Sequence, residues 1–195
     1  MFVVNRSIIL QSFVIFTVFA YLDGTKSYCA ESTLSLTSNS QYLTDAFNWA
    51  KPEALSNVRT GQGNNIPCYQ AAIKNPSKPS DNRDVFCIRD WAHHVDGAAL
   101  LGLNLENYSI LKAFARHQTL NRKWYTAWEL NYDGSISDID YVDDNYFWRI
   151  LCSMFEIVEK GYRMYQWTGD ARLYTDADLD LFYKRIMVDF LAAHD

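Results

Sequence analysis

Helical periodicity dominates from Tyr42 to Ala193 outside two long loops, and no alternating apolar–polar run of useful length appears. That pattern leaves an all-helical domain as the reading and predicts no sheet. Five helices are expected. The first spans Gln41 to Val58, with Tyr42, Ala46, Phe47, Trp49, Ala50 and Leu55 as its apolar stripe, Pro52 as a kink, and Gly61 and Gly63 as its end. The second spans Trp91 to Leu101 and stops at Gly102. It is small and apolar nearly all round, so it should be buried on most sides. Asn104 caps the third, Leu105 to about Thr119. The fourth, Asn145 to Trp167, has a very wide apolar face and a stop at Gly169. Thr175 with Asp178 opens the fifth as a capping box, and that helix runs to Ala193.

The connections alternate in length. Long polar, proline- and aromatic-bearing stretches join helices one to two and three to four; short turns join two to three and four to five. The helices that follow long loops are the more apolar ones. Inner and outer helices alternating around a partial (α/α)6 toroid give this pattern, with the two long loops at one end. An ordinary bundle or a solenoid is the alternative, and no repeat at a fixed period favours the solenoid.

Residues 1–30 read as a secretory signal and the start of a linker. Arg6 supplies the positive end, Ile8 to Ala20 is apolar, and cleavage is expected near residue 20 or 30. The run is short for a spanning helix, though an uncleaved anchor is the rival reading. Residues 31–40 are a flexible linker and 41–195 the domain. The expected location is secreted or extracellular, periplasmic in a bacterium, with no membrane contact once the signal is removed. Four cysteines are present. An oxidising compartment would let Cys68 and Cys87, which flank one loop, form a disulfide; Cys152 reads as a buried thiol within a helix. No Cys/His metal spacing occurs, so neither metal nor cofactor is expected. A net charge of −5 argues against a nucleic-acid partner.

Aromatics make up 15% of the chain, more than a core needs, which fits either a membrane-interface protein or a carbohydrate site with flat stacking surfaces. The run from Phe86 through Cys87-Ile88-Arg89-Asp90-Trp91-Ala92-His93-His94 to Leu103 resembles the first active-site segment of six-hairpin glycosidase-like proteins. The stretches Trp124-Tyr125-Thr126 to Asp143-Asp144 and Tyr162 to Asp170 share that look. The resemblance covers about Tyr42 to Asp195. It implies that Arg89-Asp90 hydrogen-bonds a sugar, as the matching pair does in related glucoamylases and glycogen-debranching enzymes.

The expected sugar-contacting set is Arg89, Asp90, Trp91, His94, Trp124, Trp128, Asp143 and Asp144. Each has a plainer reading. Asp90 could simply cap helix two. The adjacent His93 and His94 point about 100° apart on a helix, so at most one is expected to line a site. Of Trp124, Tyr125, Trp128 and Trp148, some must fill core. Asp133, Asp138, Asp140, Asp143 and Asp144 could be solvated turn residues. Glycoside hydrolysis needs two carboxylates flanking the bond; some unsaturated-uronide hydrolases of the same toroid use aspartates from early loops, and that resemblance implies Asp90 with Asp143 or Asp144 as a candidate set. In the family that pair usually comes from later loops, so this chain is expected to carry binding residues and to be the N-terminal part of a longer enzyme. The function expected is therefore a glycoside hydrolase or its N-terminal part; the alternatives are a non-catalytic sugar-binding protein and, more distantly, a polysaccharide lyase. Asn107-Tyr108-Ser109 is a glycosylation sequon inside helix three, where a transferase meets it only before folding.

Overall fold

A computed structural model describes residues 34–71, 84–138 and 141–194. The signal segment and the prolines at 76 and 79 lie outside the described residues. The fold is mostly helical. Its elements in chain order are α1 (Gln41–Leu55), β1 (Val85–Cys87), α2 (Ile88–Leu100), α3 (Asn104–Arg116), β2 (Glu129–Asn131), β3 (Tyr141–Asp143), β4 (Tyr146–Phe147), α4 (Leu151–Thr168), α5 (Arg172–Thr175) and α6 (Ala177–Lys184). A π-helical run, Arg185–Phe190, continues α6.

Glycines end two helices where a left-handed residue is needed. Gly102 (φ +83°) follows α2, and Leu103 N donates back to Ala98 O at 2.9 Å. Gly169 (φ +65°) ends α4 as expected, its N–H bonded to Tyr165 O at 2.8 Å. The other ends fall differently. Asn104 sits inside α3 and makes no cap. The cap of α6 is Asp176, which accepts from Asp178 N at 3.0 Å; Thr175 instead closes the short α5.

The structure contains two small antiparallel ladders where no sheet was expected. β1 pairs with β2, with Phe86 opposite Leu130, and β3 pairs with β4. Three residues are too few to show a period, and all three β1 side chains are buried. The second ladder also delays α4. Asp143 Oδ1 accepts from Asn145 N at 2.7 Å and Tyr146 N at 3.0 Å, and this turn holds Tyr146 and Phe147 in strand where a helix was expected.

The β1–β2 ladder is what brings the two long loops together. Ile66 N donates to Tyr132 O at 2.9 Å and Ile88 N to Trp128 O at 3.0 Å, so both loops meet at the start of α2. Behind them α2 packs on α4 and on α3, and α3 packs on α6. Trp91, Phe86, Ile110, Phe114, Met154, Ile157, Leu179 and Phe182 fill the space between. α4 reaches α6 closely at Gly161, where an added Cβ would lie 2.3 Å from the Tyr183 hydroxyl. Asn107 is fully buried and ties layers together: its Oδ1 accepts from Tyr69 OH at 2.7 Å and its Nδ2 donates to Val95 O at 3.0 Å.

Four packing expectations are corrected. α1 fully buries none of its residues: Tyr42 and Trp49 are exposed, and Leu55 packs against the core only in part. α2 is not enclosed on most sides: His93, His94, Gly97 and Leu100 are exposed. Cys152 is exposed because the buried stripe of α4 runs through Ser153, Met154, Ile157, Gly161 and Met164. The Cys68–Cys87 disulfide is not formed, and both are free buried thiols. Cys87 pairs opposite Glu129, while Cys68 Sγ faces Tyr132 O at 3.8 Å. Those two places are three residues apart, about 10 Å of extended chain. A bridge tolerates a Cα separation of about 7 Å at most.

Candidate functional site

β1 runs straight into α2 through Cys87, whose extended backbone (φ −92°, ψ 137°) precedes the first turn. The β1–β2 ladder therefore fixes where α2 begins. Asp90 is the third residue of α2 and caps nothing with its side chain, which removes the plainer reading given above. Its charge in the first turn is favourable against the helix dipole. Arg89 Nε stands 4.0 Å from Asp90 Oδ1, the outer limit of an ion pair, and both side chains keep access to solvent. The Arg89 guanidinium lies 5.4 Å above the Trp128 ring. Trp128 is itself held to α2 through the Ile88 N–H bond to its carbonyl. A fork donor, an acceptor and an aromatic ring thus share one corner where the two long loops meet.

The other expected members fall elsewhere. Trp91 is 0% exposed and belongs to the core, so it contacts no ligand from solution. Its size and its place among the inward positions of α2 account for that. Trp124 adopts φ +66° in a tight turn and carries the Arg185 guanidinium 4.6 Å over its ring. Tyr125 is buried against Phe147, Phe190 and His194, whereas Trp148 is exposed. His94 and His93 both line an open groove of about 360 Å³ between the end of α1 and α2, where at most one histidine was expected to face a site.

The acidic loop is mostly structural. Asp133 accepts from Ser135 N and Oγ at 2.9 and 2.6 Å and closes the turn at Gly134. Those bonds hold its carboxyl below the usual range. Asp138 is exposed, and Asp140 lies outside the described residues. Asp143 holds the β3–β4 turn. Asp144 accepts from Tyr141 OH at 2.8 Å and from Arg122 Nη1 at 2.9 Å. The Tyr141 bond, with the Arg122 charge, depresses the Asp144 carboxyl, which stays ionised and committed. Asp143 and Asp144 are thus both engaged in the hairpin's own hydrogen bonds.

Arg122 is the residue the sequence reading missed. Its side chain is 2% exposed, bonds Asp144, His117 O and Tyr125 O, and lies 5.5 and 5.8 Å from the Tyr141 and Phe147 rings. Beside Lys123 in a polar loop it reads as a surface cation, and nothing local signals its burial. Nearby, burial lowers the His117 imidazole below its ordinary value although Nε2–H donates to Gly134 O at 2.7 Å.

Among the described residues no helix is long and apolar enough to cross a membrane. Comparison with family models, curated proteins and solved structures finds no match to this chain.

Proposed function

We propose that this chain is a carbohydrate-binding protein whose sugar site is the corner formed by Arg89, Asp90 and Trp128. The observation that carries the reading is the Arg89 guanidinium stacked 5.4 Å over Trp128 with Asp90 beside it. Vicinal hydroxyls call for a donor fork and an acceptor; the ring's C–H face calls for an aromatic surface. The weak Arg89–Asp90 pairing leaves both groups able to bind a ligand. The packing of α2 on α4, with α3 and α6 alongside, supports an inner and an outer row, and with it the start of an α/α toroid of the six-hairpin glycosidase type. Secretion through the segment 1–30 belongs to the same proposal.

Binding is favoured over hydrolysis by this chain because Asp143 and Asp144 already hold the β3–β4 hairpin. The test is isothermal titration of the intact chain with neutral and acidic oligosaccharides. Asp90→Asn should weaken binding by about 1.5–3 kcal/mol, the range for hydrogen bonds to a charged group. Stability should change little, since Asp90 caps nothing. A variant that binds as tightly as wild type overturns the site. Hydrolysis by the 195-residue chain at an ordinary enzyme rate would overturn the preference for binding.

A further inference from the structure

The exposed face of α2 continues beyond Asp90. His93, His94, Gly97 and Leu101 follow it at the three-, four-, seven- and eleven-residue steps that keep one side of a helix. These four line the 360 Å³ groove, with Asn57 and Ala54 on the opposite wall. The groove therefore begins one turn after the Arg89–Asp90–Trp128 corner. Its size lies within the range typical of small-ligand clefts.

Three features mark it as unfilled by the protein itself. Neither imidazole makes a hydrogen bond, ion pair or ring contact among the described residues. Asn57 Nδ2 donates to Glu53 O at 3.1 Å, and its Oδ1 has no partner among the described residues. Gly97 sits mid-helix, and a Cβ there would meet nothing within 4 Å. Neither a turn nor a close neighbour accounts for that glycine, which weakens a helix interior relative to alanine. What its bare backbone provides is room for a flat group lying on the helix. Among the described residues no carboxylate, lysine or arginine lines the groove.

We infer that this groove is a second sugar subsite, taking the next unit of a neutral oligosaccharide whose first unit occupies the Arg89–Asp90–Trp128 corner; the inference rests on the sugar-binding reading above. An imidazole carries one donor and one acceptor nitrogen, which suits hydroxyls that also do both. Asn57 adds an acceptor, and Gly97, Ala54 and Leu101 face the ring's C–H surface. An anionic ligand gains no fixed cation from the described residues of the groove. A metal gains no third ligand, since no group of three His, Cys, Asp or Glu is gathered among the described residues.

The experiment measures affinity against chain length with the intact protein, using glucose, maltose and maltotriose, then cellobiose and cellotriose, then xylose and xylobiose. In the series that binds, the disaccharide should bind at least tenfold more tightly than the monosaccharide. In His93→Ala/His94→Ala and in Gly97→Leu, the ratio of the two affinities should collapse to within twofold. Gly97→Leu should also raise the melting temperature, so lost binding in that variant cannot be lost folding. Sugar binding with no gain from chain length overturns the second subsite alone, as does a gain that survives both variants. No binding of any of these series overturns the neutral-oligosaccharide subsite, and no binding of acidic oligosaccharides as well overturns the sugar reading.

Discussion

Arg122→Met tests what holds the acidic hairpin in place. Methionine keeps most of the stem's volume, so the cavity contribution is small, and the effect is that of removing a buried guanidinium. Two effects compete. Burying an arginine carries a desolvation penalty, and apolar replacement of a whole ion pair is often neutral or stabilising. Here only one partner goes. Asp144 is partly exposed and regains water, so its loss counts at the low end, about 1.5 kcal/mol. The His117 carbonyl loses a charge-assisted donor, about 1.5 kcal/mol more. The Tyr125 carbonyl, at 3.4 Å, adds little. The sum is about 3 kcal/mol, enough to outweigh relief of desolvation. Urea denaturation followed by tryptophan fluorescence measures it. Asp144→Asn should cost about 2 kcal/mol, because the guanidinium keeps its carbonyls, and the double variant should show a coupling of about 1–2 kcal/mol. Stability of Arg122→Met within about 0.5 kcal/mol of wild type would refute the assignment of Arg122 as the hairpin's anchor.

Asp176 should govern acid sensitivity. Burial alone would raise its carboxyl, but bonds from Lys112 and from Tyr108 OH at 2.6 Å hold it down to about 2. Its folded value lies below the unfolded one, so its stabilisation is complete above about pH 4 and is lost as pH falls from there towards 2. Asp176→Ala should flatten that part of the stability profile and cost about 2 kcal/mol at pH 7 through the lost cap and charged bonds; an unchanged profile contradicts it. Thiol labelling should separate the described cysteines. Burial pushes the Cys68 and Cys87 thiols to about 12, so at pH 8 iodoacetamide should modify Cys152 quickly and those two only after unfolding. Mass spectrometry of native protein with Cys68 or Cys87 alkylated as fast as Cys152 would count against their burial.

Features set by neighbours in sequence were legible, and features set by distant partners were not. Helical periods, the glycine stop at Gly169 and the two long loops could be read because each depends on residues within a turn or two. The β1–β2 ladder could not: Phe86 and Leu130 are 44 positions apart and each lies in a three-residue strand. That one pairing decided much else. It separated Cys68 from Cys87, and it set Trp128 rather than Trp124 beside Arg89. Arg89 and Asp90 were readable as a site because they stand where a polar loop turns into an apolar helix. Trp91, one residue on, was assigned to the same site by adjacency, although a helix turns each successive side chain by about 100°. His93 and His94 exceeded expectation for a related reason: an open helix face is wide enough to carry both.

Asn107 gives the sequon a consequence for the order of events in synthesis. A glycan on its amide nitrogen would occupy the position that donates to Val95 O, inside packing that leaves the residue 0% exposed. Modification and folding therefore exclude each other at this position. Where Asn-X-Ser sequons are glycosylated on nascent chains, each molecule would be divided at Asn107 into one of two fates. A chain that closes α2 against α3 first keeps the amide for itself. A chain modified first carries a bulky polar group at the α2–α3 contact and presents unfolded helices to quality control. The rate at which α2 and α3 associate would then set the yield of folded protein as much as its final stability does.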